Sequence, residues 1–477
     1  MKNSFSLILS AGLAFFATGS FVCAEVKLPS ILGNHMVLQQ GEPVPVWGWA
    51  DEGEKITVSF QGKTVSTQAN KDGKWRVDLP AMKANAKGSD LTVKGSNEIK
   101  LQDVLVGEVW LCSGQSNMEW SVARSGNAKE EIANGKHPLI RHVKVPRKLS
   151  LTPQEDVQTG GWQVCSPSTV ANFTAVGYYF ARHLQKEIKV PIGLIGSNWG
   201  GTRIEPWTPA EGFKAVPALK KDFAGKLDQF AKGKPGRSTP THMYNAMIAP
   251  LLPYAIKGAL WYQGESNNGE GMLYHEKMKA LIAGWRSVWE KPDLPFYFVQ
   301  LAPFNYRNRD SKALPWIWQA QLETLKVPNT GMAVTTDITT VNNIHPPNKQ
   351  DVGKRLALWA LAKNYGYDKL VYSGPLFDRT DHSEGKDSLA VHFKELRGRN
   401  VGLTVPDGKS LTHFEVAGED GKWHPAEASI AYGDHVIVRS KEVKKPVHVR
   451  FGWDQKASPN LFNRAGLPAS PFTTEKK

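Results

Sequence analysis

The hydrophobic period of the chain changes twice, near residue 105 and near residue 367, and these changes restrict the fold more than any single motif. From residue 26 to about 105, short alternating runs at 36–39, 44–49, 56–60, 75–79 and 91–93 are separated by Gly41, Asp51-Glu52-Gly53, Lys71-Asp72-Gly73-Lys74 and Lys87-Gly88. Period-two alternation with such turns predicts a small β-sandwich. Between 106 and 367, apolar strands at 190–195, 255–262, 296–301 and 332–334 alternate with helical periods at 173–184, 272–289 and 351–365. That alternation predicts an α/β domain, a mostly parallel sheet covered on both faces. Past 367, strands return at 389–393, 414–416, 435–438 and 447–453, so a second β portion spans 368–477. Its tail, 466–472, has no helical or strand period and is expected to lie along the surface.

The start of the chain has a different character. Lys2, an apolar run over 5–16 and Val22-Cys23-Ala24 form the three parts of a secretory leader, so residues 1–24 are expected to be removed and the product secreted or periplasmic. No later stretch has the ~20 continuous apolar residues of a spanning helix. Loss of the leader leaves Cys112 and Cys165, read as two buried thiols. The 59 basic and 45 acidic residues give a net charge of +14. The lysines are scattered and no DNA-binding motif accompanies them, which argues against a nucleic-acid partner.

The chemistry gathers at four strand ends of the central domain. The first is GEVWLCSGQSNMEW, residues 107–120, an apolar strand that breaks at Ser113-Gly114 into small polar residues. Ser116 stands where open α/β sheets hold ligands, and is either a nucleophile or a cap for the next helix. The second strand runs into GSNWGGTR, residues 196–203, where Gly200 or Gly201 suits an oxyanion donor and also suits a tight turn. The third ends in WYQGESNN, residues 261–268. Gln263 or Asn267 can donate to an oxyanion there, and Glu265 can orient an imidazole. The fourth leads through Asp337 to His345, in a loop before the helix at Asp351. A nucleophile, a base, an orienting group and oxyanion donors together make an acyl-transfer site.

These stretches, with WGGT at 199–202, YNAMIAP at 244–250, IHP at 344–346, NKQDVGKRLA at 348–357 and LPASPF at 467–472, resemble the sialate O-acetylesterase family of SGNH-like hydrolases. The resemblance covers nearly the whole chain. It implies an SGNH-like catalytic domain at 106–367 between β portions, Ser116 as nucleophile, His345 as base, and oxyanion donors among the Ser116 amide, the Gly200 amide and the side chains of the QGESN turn. It implies removal of O-acetyl groups from sialic acid, xylan or another polysaccharide, with no cofactor and no metal. One position departs from the pattern: Asn342 stands three residues before His345, where such hydrolases carry an aspartate. Glu265, Asp337 or a backbone carbonyl then becomes the expected orienter, Glu265 first. Arg203 is expected either to meet a sialic carboxylate or to pair with Glu205.

Three rival readings are weaker. A glycosidase using Glu205, Glu265 or Asp337 leaves Ser116 without a role. A lipase-type elbow wants Gly-x-Ser-x-Gly, and Met118 occupies the last glycine position. A carbohydrate-binding protein would use Trp47 and Trp49 to stack on sugar, although buried strand aromatics are the commoner explanation of such residues.

Overall fold

The computed structural model describes residues 1, 25–307, 310–338, 340–396 and 401–475. Residues 2–24 of the expected leader lie outside the described residues.

The fold hangs on one long strand, Glu98–Gly114, of 17 residues. Its first half pairs antiparallel with Asn85–Lys94 and its middle parallel with Val37–Gln39. Its second half pairs parallel with Ile192–Asn198 on one side and Gly258–Tyr262 on the other. Burial follows this partnership: exposure varies from Glu98 to Asp103, and every residue from Val104 to Gly114 is buried. A strand with one face in water alternates, and a strand covered on both faces does not. The period change near residue 105 thus lies within a single strand, and the expected boundary at 105/106 falls inside it.

The central sheet has the order Thr330–Ala333, Phe296–Val299, Gly258–Tyr262, Glu98–Gly114, Ile192–Asn198, His137–Lys144, all parallel. Gln163–Cys165 adds an antiparallel edge. Chain order reverses at the serine strand, so the crevice beyond its carboxyl end lies at a switch point of the sheet. Helices Leu273–Val288 and Lys349–Asn364 match the expected periods to within two residues, and Ala175–Ile188 runs four residues past its expected end. Ala313–Thr324 is a further helix, with 10 of its 12 residues buried.

The amino-terminal β portion sets the pair Val44–Trp49 and Lys74–Leu79 beside the sheet built on Lys55–Phe60, Lys63–Gln68 and Asn85–Lys94. The carboxyl-terminal portion holds two four-stranded antiparallel sheets. Its tail departs from expectation, because Phe472–Thr473 pairs with His448–Phe451 and Ala469, Ser470 and Phe472 are buried. Ser470 Oγ accepts from Gln300 Nε2 at 2.8 Å and the Thr473 N–H donates to Gln319 Oε1 at 3.0 Å, anchoring the tail to the central domain. Cys112 and Cys165 are free thiols, both buried. No helix among the described residues is long and apolar enough to cross a membrane.

Candidate active site

The parallel register brings three strand ends level. Gly114 is paired with Asn198 and with Tyr262, so the turns after all three strands open at one height. Gly114 has φ +133°, and a Cβ there would stand 2.2 Å from the Tyr262 carbonyl oxygen. Only glycine lets the serine strand turn this close to its neighbour. The Gln115 N–H then donates to the Tyr262 carbonyl at 2.9 Å, and the chain enters the short helix Ser116–Glu119. Ser116 is its first residue, so the Ser116 amide has no partner within the helix.

Ser116 Oγ and His345 Nε2 lie 2.8 Å apart, joining residues 229 positions apart in the chain. The imidazole is half-buried and stacks on Trp120, with ring centroids 4.7 Å apart and planes 19° apart. Its own amide donates to Asn343 Oδ1 at 2.9 Å. Burial holds the His345 pKa below 6.5, with the charges of Lys349 and Arg124 acting in the same direction. A base held low stays unprotonated, and so able to accept a proton, at neutral pH.

Glu265 reaches this site through Asn117 rather than through His345. Asn117 Nδ2 donates to Glu265 Oε1 at 2.5 Å and to the Ile344 carbonyl at 3.0 Å, while Asn117 Oδ1 accepts from Lys349 Nζ at 2.6 Å. The neighbour of Ser116 is thereby tied to the neighbour of His345. Burial pushes the Glu265 carboxyl up and pushes the Lys349 ammonium down to about 7. Asp337 turns away, its two oxygens accepting from Arg355 at 2.7 and 2.6 Å. Neither carboxylate is hydrogen-bonded to His345, and no described residue bonds His345 Nδ1.

Residues 106–362 match the model of a carbohydrate esterase family, sialic acid-specific acetylesterase. The human sialate O-acetylesterase is 30% identical over 94% of this chain and 92% of its own, and that of Rattus norvegicus is 30% identical over 94% of each. A crystal structure of a carbohydrate acetylesterase from Xanthomonas citri superposes with a TM-score of 0.86 at 39% identity, covering 95% of this chain and 100% of that one. The chain belongs to this family of sialic acid-specific acetylesterases. It is a carboxylic ester hydrolase acting on acetylated carbohydrate.

In this esterase the other expected site residues are divided between the reaction pocket and its scaffold. Gly200 faces Ser116: a Cβ there would lie 3.1 Å from Ser116 Cβ. Its amide donates to Glu119 Oε2 at 2.9 Å, and Glu119 is also held by Arg147, whose Nε is 2.9 Å from Oε1. An oxyanion using the Gly200 amide therefore competes with the Glu119 carboxylate. Gln263 and Asn267, expected as oxyanion donors, are fully buried and bonded inward. Gln263 Nε2 donates to Asn267 Oδ1, Thr202 O and Gln115 Oε1 at 2.7, 3.0 and 3.1 Å. Asn267 Nδ2 donates to Glu270 Oε2 and Glu205 Oε2 at 3.0 and 3.1 Å. Both shape the third strand end and offer no hydrogen to the pocket.

Arg203, considered for a substrate carboxylate, is paired with Glu205 at 3.1 Å and with Glu270, and Lys277 Nζ completes the cluster at 2.6 and 2.7 Å from the same two acids. A guanidinium already facing two carboxylates has little left for a third. Four residues with contacts at the site had no assigned role in the sequence reading: Asn117, Glu119 and Trp120, inside the motif that carries Ser116, and Lys349, four residues past His345. The available signal was position alone: Lys349 opens the helix that follows the His345 loop, so its side chain starts beside that loop.

Proposed function

We propose that the chain is an exported serine esterase that removes O-acetyl groups from sugars, sialic acid foremost, with Ser116 as nucleophile and His345 as base. The observation that carries this reading is the 2.8 Å contact between Ser116 Oγ and His345 Nε2 beyond the carboxyl end of the central strand. His345 Nε2 takes the Ser116 proton as Oγ bonds to the acetyl carbon, and the tetrahedral oxyanion is met by the Ser116 amide. The C–O bond to the sugar breaks, and the sugar oxygen leaves with the proton from His345. Water, deprotonated in turn by His345, attacks the acetyl-serine; the acyl C–Oγ bond breaks, Ser116 Oγ takes that proton back from His345, and acetate departs. With no described partner on Nδ1, the base works in a Ser-His dyad, and Trp120 stacking together with the Asn117 link to Ile344 fix its position.

Acetylated xylan or another polysaccharide is the second reading, supported by the Xanthomonas citri relative, which is described more broadly as a carbohydrate acetylesterase. Export rests on the leader pattern from Lys2 to Ala24. The test measures acetate release from 9-O-acetyl-N-acetylneuraminic acid beside acetylated xylo-oligomers, with the parent and Ser116→Ala. Faster turnover of the sialic ester that is lost in the variant supports the first reading. Activity surviving in Ser116→Ala removes the assignment of the nucleophile.

A further inference from the structure

With Arg203 paired to its own acids, three other arginines among the described residues flank the site, Arg124, Arg147 and Arg237, each set on a tryptophan. Arg147 and Arg237 lie 5.8 and 5.5 Å from the Trp199 ring, on the Gly200 side. Arg147 holds Glu119, and Arg237 donates to the Gly200 carbonyl. On the other side the Arg124 guanidinium lies 3.6 Å from the Trp120 ring, the same indole that stacks on His345. Trp120 Nε1 donates to the Arg124 carbonyl at 2.7 Å, which locks ring and arginine backbone together. Arg124 is exposed, and its guanidinium has no hydrogen bond or ion pair with any described residue. A guanidinium resting its face on an aromatic ring keeps its in-plane N–H fork for a carboxylate.

We propose that Arg124 receives the carboxylate of an acidic sugar and so selects acetyl esters of sugar acids over those of neutral sugars. The inference rests on the reading of Ser116 and His345 as the reacting pair. One indole separates this cation from the base, which suits a substrate whose carboxyl and acetyl groups belong to a single sugar residue. The arrangement has a second effect. Arg124 is one of the charges that hold His345 down, with Lys349 the other. A bound carboxylate cancels the Arg124 share, so the base strengthens when an acidic substrate arrives and gains nothing from a neutral one.

The experiment compares kcat/KM for 9-O-acetyl-N-acetylneuraminic acid with that for methyl 6-O-acetyl-glucoside in the parent, Arg124→Gln, Arg124→Lys, Arg237→Gln and Ser116→Ala, with thermal midpoints as the folding control. Arg124→Gln is expected to lower the acidic-to-neutral ratio about 10- to 100-fold, the effect of one charge-assisted pair. Arg124→Lys, which keeps the charge without the fork, recovers part of the ratio. The acid limb of kcat/KM on the neutral ester moves to higher pH in Arg124→Gln. A parental ratio in Arg124→Gln, or loss of the ratio in Arg237→Gln alone, overturns the assignment while an inactive Ser116→Ala leaves the reaction reading in place. Hydrolysis of both esters by Ser116→Ala at the parental rate overturns the reading itself.

Discussion

Replacing Lys349 with methionine should make the protein more stable and less active at the same time. Lys349 is fully buried, and among the described residues its side-chain nitrogen has one hydrogen bond, to Asn117 Oδ1 at 2.6 Å. Burial brings its pKa from 10.5 to about 7. At about 1.4 kcal/mol per pH unit, the buried ammonium costs on the order of 5 kcal/mol below pH 7. Loss of a hydrogen bond from a charged group returns about 1.5–3 kcal/mol of that. The net gain at pH 6 is then about 2 kcal/mol, or roughly 4–8 °C in thermal midpoint for a domain of this size.

The sign of the pH dependence follows from linkage. Between about 7 and 10.5 the unfolded chain holds a proton that the folded one lacks, so the parent gains stability as pH rises through that window. Lys349→Met lacks this gain, and its advantage at pH 6 should vanish near pH 9. Thermal unfolding of both proteins at the two pH values gives the answer, because titrations that do not feel Lys349 cancel in the difference, leaving its own and those of its neighbours Glu265 and His345. Turnover should fall, since Asn117 loses a partner, and the acid limb of kcat/KM should move upward as one charge is removed from beside His345. A variant less stable than the parent at pH 6, with the parental pH slope, would show the ammonium to be well accommodated and refute the reasoning.

Three further outcomes follow from the same geometry. The acid limb of kcat/KM should report a free-enzyme pKa below 6.5, because burial, Lys349 and Arg124 all favour neutral His345; a limb above 6.5 in a pH-rate profile would contradict this. Asp337→Asn should lower the thermal midpoint through its broken Arg355 pair and leave kcat within about tenfold, whereas a fall of about 10⁴ in steady-state turnover would make Asp337 the orienter after all. Gly114→Ala should give little folded protein by circular dichroism, since its Cβ would stand 2.2 Å from the Tyr262 carbonyl oxygen; a folded, active variant would mean that the turn has another conformation.

The meeting of Ser116 and His345 was legible in the sequence because both residues stand at breaks in period: Ser116 where a buried strand turns polar, His345 where a polar loop precedes a helix. The role of Glu265 was not. Nothing in WYQGESN reveals that the Asn117 amide sits between its carboxylate and the histidine loop, and one intervening side chain turns an orienter into a brace. Gln263, Asn267 and Arg203 illustrate the same limit, since polar residues at a strand end face either the pocket or each other. The helix Ala313–Thr324 was missed for a different reason. It is buried nearly all round, so it has no amphipathic stripe, and Pro315 in its first turn reads as a breaker although that position tolerates proline. The tail at 466–472 looked patternless because its two paired residues are too few to show alternation.

The continuity of Glu98–Gly114 gives the amino-terminal β portion a hold on the position of Ser116 that the distance between them conceals. A protease or an engineer cannot trim that module away without cutting the ribbon whose far end presents the hydroxyl. Slippage of its near half against Asn85–Lys94 would be transmitted along the backbone to Ser116, so the module acts as a ruler for the candidate site rather than an appendage.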